Sequence, residues 1–398
     1  MSMSALSSLL TSKGQKLVNA LPPYSADDVG RLSKELRERG YDAEMVGAAL
    51  TMSRLRDRAR SKFGEEALEL FLTEDGLQQA TRSAVAELHA QRYVEAGCRS
   101  VVDLTSGIGA DAMALARAGL RVVANDLDPV TAGFAALNLQ QFEGAKVVNR
   151  DALELGLSDF DGVFVDPARR NARGRTFNPA DYSPPFEQVL AIRETVPALG
   201  VKVAPGIAYE NLPADVHAQW ISMEGDVVEA GLWFGPLAEV GPVRGPGRSA
   251  LVMKGKEIVE VEATNDPRAP VIPMDSKPLG HYFYEPDGAV IRAGAVRTVA
   301  QILQAAPVSD RIAYLSGDKY VETSLATAFE VIDAMTVKQV RGYLAQRDVG
   351  SLEILKRGYD VDPDLFRKKL KLKGPNSATV VLTRLQGRHM AVVVRRIE

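Results

Sequence analysis

An α/β fold built on a mostly parallel sheet with helices on both faces is predicted by residues 101–129, VVDLTSGIGADAMALARAGLRVVANDLDP. Three observations there carry the expectation. An apolar run ends in Asp103 and meets Gly107 and Gly109; helix formers then run from Ala110 to a stop at Gly119; LRVVAND follows as a second buried strand. Strand, glycine turn, helix and strand together make a βαβ unit suited to a nucleotide. The glycines lack Cβ, so they permit positive φ and let the backbone approach a ligand at the N-terminus of the next helix. Asp126, closing the second strand, is placed to accept hydrogen bonds from a ribose diol.

Two cofactors compete for such a unit. Gly107, Gly109 and Ala112 satisfy the dinucleotide pattern G-x-G-x-x-G/A with an acid downstream. Asp103 separates the readings, because a carboxylate beneath the turn repels a pyrophosphate and favours a ligand carrying an ammonium and a sulfonium. The D-x-x-x-G-x-G arrangement resembles motif I of the class I S-adenosylmethionine (SAM) methyltransferases. A dinucleotide oxidoreductase therefore ranks last.

The other elements follow in order. Residues 1–95 read as a helical N-terminal region: ALSSLLTSKGQKLVNAL, a break at Pro22-Pro23, SADDVGRLSKELRERG with Ser25 as N-cap and Gly40 as stop, and then DAEMVGAALTMSRLRDRARSKFG. Arg54, Arg56, Arg58, Arg60 and Lys62 are dense there, yet residues two apart share no helix face, and a solvated role is favoured over substrate contact. LQQATRSAVAELHAQRYVEAG is a further helix, expected to pack beside the cofactor pocket, on which His89 reads as packed or exposed rather than as a base. Residues 96–265 form the expected catalytic domain. After the βαβ unit come a helix, VTAGFAALNLQQF, a third strand ending at Asp151, and a fourth, FDGVFVDP, delivering Asp166, Pro167, Ala168, Arg169 and Arg170 to the carboxyl edge where a doubly wound sheet binds ligands. Residues 187–199 read as a helix, GVKVAPGI as a strand and ENLPADVHAQW as a helix. WISMEGDVVEAGLWFG and SALVMKGKEIVEVEA read as antiparallel strands with Gly-Asp and Gly-Lys turns. Residues 266–325 are a connecting segment, in which a turn at Asp287-Gly288 precedes a helix near Arg292. Residues 326–398 alternate strand and helix: FEVIDAMT, VKQVRGYLAQRD, SLEILKRG, a helix DPDLFRKKLKLK and a closing hairpin turning at Gln386-Gly387.

Composition bounds the rest. The 398 residues are 46% hydrophobic and 25% charged, as in an ordinary globular chain. No apolar run reaches the length of a membrane span, and MSMSALSSLLTSKGQK has neither the basic start nor the long apolar centre of a signal peptide, so a cytoplasmic location is expected. Cys98 is the single cysteine and the four histidines are far apart, so neither a disulfide nor a structural metal is expected. The net charge of −3 is unevenly spread: from Thr336 onward there are 14 Lys and Arg against 6 Asp and Glu. A basic module on an acidic body fits nucleic acid as well as it fits a solvated face.

DLTSGIGADA, VDPARR, YEPDGAVIRAG and FRKKLKLKGPNSATVVLTRLQGRHMAVVVRR together resemble, over nearly the whole length, the bacterial SAM-dependent methyltransferases with a C-terminal THUMP-like domain. The resemblance implies a Rossmann-like class I methyltransferase sheet, parallel with an antiparallel pair at one edge, and a small α+β THUMP-like domain at the end. It implies SAM as cofactor, with Asp103, Gly107 and Gly109 around its methionine end, Asp126 at the ribose and Asp151 at the adenine. Thr105, Leu127 and Ala152 complete the expected cofactor set. Asp166, Pro167 and Arg169 are the implied catalytic residues facing the substrate. Since THUMP domains accompany RNA-modifying enzymes, RNA (tRNA or rRNA) is the implied partner, with Lys368, Lys369, Lys371, Lys373, Arg384, Arg388, Arg395 and Arg396 as its contacts.

Enzymes that methylate exocyclic base nitrogens keep Asn or Asp, Pro, Pro and an aromatic residue at the fourth strand end. Asp166 and Pro167 fit; Ala168 and Arg169 depart, although an arginine can stack on a base or grip a phosphate. Asp-Pro-x-Arg also resembles the uracil C5 methyltransferases, which need a cysteine nucleophile downstream of this motif; Cys98 lies upstream, so that route is disfavoured. Base-nitrogen methylation of RNA is the leading expectation. A SAM-binding RNA or assembly factor without transfer activity, and a methyltransferase for a small molecule or a protein, stay open as alternatives.

Overall fold

The computed structural model describes residues 3–168, 170–171, 174–175 and 182–397. The chain divides into two compact units, Met1–Val203 with Leu232–Gly241, and Ala204–Gly231 with Pro242–Glu398.

The first unit opens with α1 (Met3–Ser7), α2 (Ser12–Asn19), α3 (Val29–Glu38), α4 (Ala43–Phe63), α5 (Glu74–Gln79) and α6 (Ser83–Glu95). Small polar caps set the starts of three of them: Thr11 accepts from Gly14 N–H for α2, Asp42 from Met45 N–H for α4 and Thr73 from Gly76 N–H for α5. Ser25, the expected cap of α3, instead precedes a short 3₁₀ turn, and α3 begins after Asp28. Gly40, with φ +87°, follows that helix.

The unit continues with β1 (Ser100–Asp103), α7 (Ala110–Arg117), β2 (Arg121–Asn125), α8 (Pro129–Leu139), β3 (Ala145–Val148), β4 (Gly162–Val165), the short β5 (Arg170–Asn171) and β6 (Gly174–Arg175), α9 (Phe186–Ala191) and β7 (Ala198–Val203). Strands β7-β4-β1-β2-β3 lie side by side in that order, all parallel. β1 pairs on one side with β2 and on the other with β4, so the winding reverses there, and a ligand-binding crevice belongs at the carboxyl ends of these strands. Every residue of β1, β4 and β7 is buried, as expected of parallel strands covered on both faces.

In the second unit, β8 (His217–Met223) and β9 (Asp226–Trp233) are joined by Glu224-Gly225, both at positive φ, the geometry of a tight antiparallel hairpin. β10 (Gly247–Lys254) and β11 (Glu257–Thr264) form a second antiparallel pair about Gly255-Lys256. The order is β11-β10-β8-β9, and the last residues of β9 belong to the first unit. The helix expected over ENLPADVHAQW is absent. A 3₁₀ turn at Tyr209–Asn211 is followed by β8, whose Trp220 and Ile221 are fully buried in an interior strand, so sheet pairing overrides the local helical pattern.

The unit then carries β12 (Tyr282–Pro286), α10 (Gly288–Ala293), α11 (Val296–Ile302), β13 (Ala306–Pro307), β14 (Leu315–Gly317), β15 (Ala326–Thr336), α12 (Val340–Ala345), β16 (Val349–Lys356), α13 (Pro363–Leu370), β17 (Asn376–Leu385) and β18 (Arg388–Arg396). The helix anticipated near Arg292 begins at Gly288, capped by Asp287. Seven strands form one sheet, β13-β14-β12-β15-β18-β17-β16. Alternation sorts its residues into two cores. Val380 and Leu382 pack with Val340, Leu344, Phe366 and Leu370 of α12 and α13, whereas Val381 packs with Phe283, Tyr314 and Phe329. Gln386 and Gly387, both at positive φ, close the β17–β18 hairpin where the sequence places it.

Candidate active site and nucleic-acid interface

The turn after β1 is built by its glycines. Gly107 and Gly109 have φ +55° and +89°, and Gly109 is the N-cap of α7. Asp126 accepts from Gly107 N–H at 3.0 Å and from Asp128 N–H at 2.8 Å, so the acid expected at a ribose also holds the glycine turn. Burial nevertheless raises its pKa above the ordinary value. Thr105 Oγ1 accepts from Asp166 N–H at 2.7 Å, tying the turn to the end of β4. Asp151 caps the short turn Ala152–Glu154 and accepts from Leu153 N–H at 3.0 Å.

These residues line one pocket of about 580 Å³ inside the first unit. Seven aspartates face it, Asp103, Asp111, Asp126, Asp151 and Asp166 among them, while no Lys, Arg or His does among the described residues. Such a wall suits a cation and repels a pyrophosphate. Thr105, Gly107, Leu127 and Ala152 are also in the wall, and Leu127 stands 70% exposed, with Leu153 beside it at 45%. Gly109 sets the turn without lining the pocket. Pro167 is buried and stands outside the lining, and Arg169 lies outside the described residues.

Asp103 is 1% exposed, and its carboxylate accepts from Thr105 N–H at 3.3 Å. Burial first, then the neighbouring Asp111, pushes its pKa well above the ordinary value. Asp111 behaves oppositely. Burial opposes its ionisation, but the His89 hydrogen bond and charge, with Lys202 and Thr81, hold its carboxyl below the ordinary range. His89 is buried, 2.8 Å from Asp111 through Nδ1, and its ring packs on Phe164 and Trp233, in keeping with a packed residue.

Of three further contributors, the first is anticipated in part, by the helix expected beside the pocket, and the other two are not evident from the sequence alone. Thr73, Asp75, Gly76, Gln79, Ala80 and Thr81 bring the N-terminal region into the pocket wall. Lys62, from α4, holds that segment by donating to the carbonyls of Leu77, Gln78 and Ala80 at 2.7 to 3.0 Å. Ser183, Pro184 and Pro185 enter the wall because Ala168 and Ser183 pair in antiparallel fashion; a Ser-Pro-Pro-Phe run was the available signal. Lys202, 5% exposed at the end of β7, donates to Asp166 Oδ2 at 2.6 Å. A lone lysine in a strand otherwise apolar was the signal there.

In the second unit all eight basic candidates are exposed. Lys368 and Lys369 end α13, and Lys371 is its left-handed cap; together with Lys373 they make no ion pair among the described residues. Arg395 pairs with Glu330 and Arg396 with Glu353, while Arg384 contacts His389. Arg388 lies at the start of β18.

Replacing Asp103 tests the site's electrostatics. A carboxyl whose folded pKa exceeds its unfolded one stabilises the fold fully only below the ordinary value near 3.8 and loses that contribution as pH rises. Asp103→Asn should therefore melt higher than the unsubstituted protein at neutral pH without ligand. The gap should close toward pH 3; an equal gap at both pH values would contradict the burial argument.

Comparison with known proteins agrees with this geometry. Residues 326–396 match the THUMP domain-like family, and residues 2–59 match a domain of unknown function, DUF8688. Two Mycobacterium tuberculosis proteins, from strains CDC 1551 and H37Rv and both named uncharacterized S-adenosylmethionine-dependent methyltransferases, are 35% identical over 342 residues, 83% of this chain and 90% of theirs. A crystal structure from Porphyromonas gingivalis W83, described as a methyltransferase, shares the fold at TM-score 0.74 over 100% of both chains with 20% identity. Fold, acid-lined pocket and these relatives together make the chain a member of the SAM-dependent methyltransferases, carrying a THUMP-like domain at its C-terminus.

Proposed function

We propose that this methyltransferase modifies a base nitrogen in structured RNA, tRNA or rRNA. The observation that carries the reading is the presence, in one chain, of an acid-lined pocket at a methyltransferase sheet edge and a THUMP-like module with an exposed lysine cluster. SAM supplies a methyl group activated on a sulfonium. Asp103 with the Gly107–Gly109 turn would hold its ammonium and carboxylate end, Asp126 its ribose and Asp151 its adenine. Leu127 and Leu153, apolar yet exposed at the wall, would cover the flat base. Asp166 would receive the substrate amine.

A cysteine-adduct route to carbon does not suit this site. Cys98 lies ahead of β1, at the end of the strand away from the carboxyl edge, and is not part of the pocket wall. Burial also pushes its thiol up to about 11, leaving little thiolate at neutral pH.

Asp103 links cofactor binding to pH. Its pKa is raised in the free protein, and a bound ammonium favours the ionised form, so SAM binding should release a proton and tighten as pH rises until free Asp103 titrates. Calorimetry in two buffers of different ionisation heat should detect that proton in the unsubstituted protein and not in Asp103→Asn. Losing a charged hydrogen bond, worth about 1.5–3 kcal/mol, should also weaken SAM affinity about 10- to 100-fold in that variant.

The function itself is tested with labelled methyl from SAM and total RNA from a strain lacking the gene, with Asp166→Ala as control and the protein fraction counted in parallel. Label in RNA only with intact enzyme is the expected result, and digestion to nucleosides then names the atom. Label in another fraction, or SAM binding with no transfer at all, would move the assignment to the other substrates or to a non-catalytic factor. For the interface, Lys368, Lys369, Lys371 and Lys373 changed together to Gln should weaken RNA binding. The slope of log affinity against log salt should become shallower by roughly one for each phosphate that these lysines neutralise. An unchanged slope would remove this cluster from the interface.

A further inference from the structure

Behind Asp166 runs a buried polar chain that the proposed cofactor and substrate contacts leave unused. His89 Nδ1 meets Asp111 Oδ1 at 2.8 Å; Thr81 Oγ1 donates to Asp111 Oδ2 at 2.7 Å; Lys202 Nζ donates to Thr81 Oγ1 at 2.9 Å and to Asp166 Oδ2 at 2.6 Å. His89, Asp111, Thr81 and Lys202 are all at most 7% exposed, while the Asp166 side chain is 23% exposed and lines the pocket. Lys202 stands in a strand, ALGVKV, whose residues are all buried. An ammonium there carries a desolvation penalty, and an apolar residue of similar size often serves stability as well or better. Apolar packing gives no reason for a lysine; its hydrogen bonds do, to Thr81 and Asp166 and, at 3.3 Å, to the Gln79 carbonyl.

We propose that Lys202 is a positioning residue for methyl transfer: its ammonium fixes the Asp166 carboxylate, ionised, at the pocket wall, where it receives the proton of a nitrogen nucleophile. The inference rests on the proposed nitrogen-directed reaction and adds to it the group that sets its acid. In that step the nitrogen lone pair forms the N–C bond, the electron pair of the broken C–S bond stays on sulfur, and the N–H proton passes to Asp166 and on to water. The methylated nitrogen is acidic enough for a weak carboxylate base, so a strongly ionised Asp166 is suited to the task.

Other charges face the pair. Lys62 approaches from α4, Asp103 from β1, and Asp111 with His89 lies beyond Thr81. Burial, with Lys202 and Arg82 acting in the same sense, brings Lys62 down to about 8, so it titrates on the alkaline side. Asp103, Asp111 and His89 can share the acidic limb of a pH profile with Asp166, so it is the assigned Asp166 signal, read beside that limb, that isolates the proposed role.

The test follows Asp166 in the cofactor-free protein by carbon NMR of labelled aspartate, with Asp166→Asn assigning its signal. In the unsubstituted protein Asp166 should be ionised at neutral pH; titration near neutrality would overturn the proposal whether or not any variant folds. In Lys202→Gln, Asp166 should titrate about 1–3 units higher, the range over which an adjacent opposite charge shifts a carboxylate. The acidic limb of kcat should move with it, SAM affinity should stay unchanged, and Lys202→Arg should restore the profile. An unmoved Asp166 signal, or a loss of kcat equal at every pH and not rescued by arginine, would reduce Lys202 to a structural tie. Failure of the unsubstituted enzyme to methylate any fraction would count against the proposed function, whereas the NMR titration still judges Lys202.

Discussion

Three strand ends of the catalytic sheet meet at one side-chain amide. Asn125, 1% exposed, donates from Nδ2 to the carbonyls of Leu104 and Arg150 at 3.0 and 3.1 Å, and its Oδ1 accepts from Arg150 N–H at 3.0 Å. An unpaired buried backbone group costs about 1–3 kcal/mol, so this single side chain sets the spacing between the glycine turn after β1 and the chain after β3. Everything that faces the pocket from those loops depends on that spacing. Asp126, the next residue, can then reach Gly107 N–H, and Asp151, the residue after Arg150, is presented at the same edge. Aspartate would match the shape of Asn125 but not its chemistry, since a carboxylate cannot donate to two carbonyls.

The N-terminal region is bound into the same construction. The Asn138 amide of α8 accepts from Phe71 N–H at 2.8 Å and donates to the carbonyls of Phe71 and Ile108, joining the segment ahead of α5 to the glycine turn. Arg56, buried in α4, donates to the carbonyls of Leu70 and Glu69 and to Asn19, and burial brings its guanidinium down to about 10. Arg54 and Arg58 both pair with Glu74 at the start of α5. The arginine-rich stretch of α4 thus acts mainly inward, positioning the segment Thr73–Thr81 that forms part of the pocket. Half-exposed pairs such as those to Glu74 add little stability on their own. Their value here is geometric, because they restrict where α5 can stand.

The parts of this molecule legible in its sequence are those that local chemistry dictates. Gly107 and Gly109 had to mark a turn, since both take left-handed φ, and Gln386-Gly387 had to mark a hairpin. Burial on both faces made β1 and β4 continuous apolar runs that periodicity detects. What escaped depends on contacts remote in sequence. HAQWISM is a strand because β9 and β10 flank it, a fact no window around Pro213 contains. The second wall of the pocket comes from Thr73–Thr81, of which only the part in the stretch from Leu77 was expected beside the pocket, and Lys202 reaches Asp166 across two paired parallel strands, β4 and β7. Asp166 was readable as a strand-end aspartate, but Lys202, which pairs with it, carries no local signal beyond a charge in an otherwise apolar strand.

An acid-lined pocket and a polyanionic substrate make opposite demands, and under the proposed function the chain answers them by separating its charges along the sequence. Carboxylates gather where a cationic cofactor suits them, and a neutral base can enter such a pocket without a phosphate following it. Phosphates must then be held elsewhere, and the exposed basic residues after Thr336 are available for that. They are not equivalent. An arginine already paired with a glutamate, as Arg395 and Arg396 are, must give up that pair to take a phosphate, so its net gain is small. Lys368, Lys369, Lys371 and Lys373 lose only hydration and counterions, and release of those counterions is the main driving term for nucleic-acid binding. The end of α13 and the loop after it, rather than the paired arginines of β18, are therefore where the binding energy of this module should concentrate.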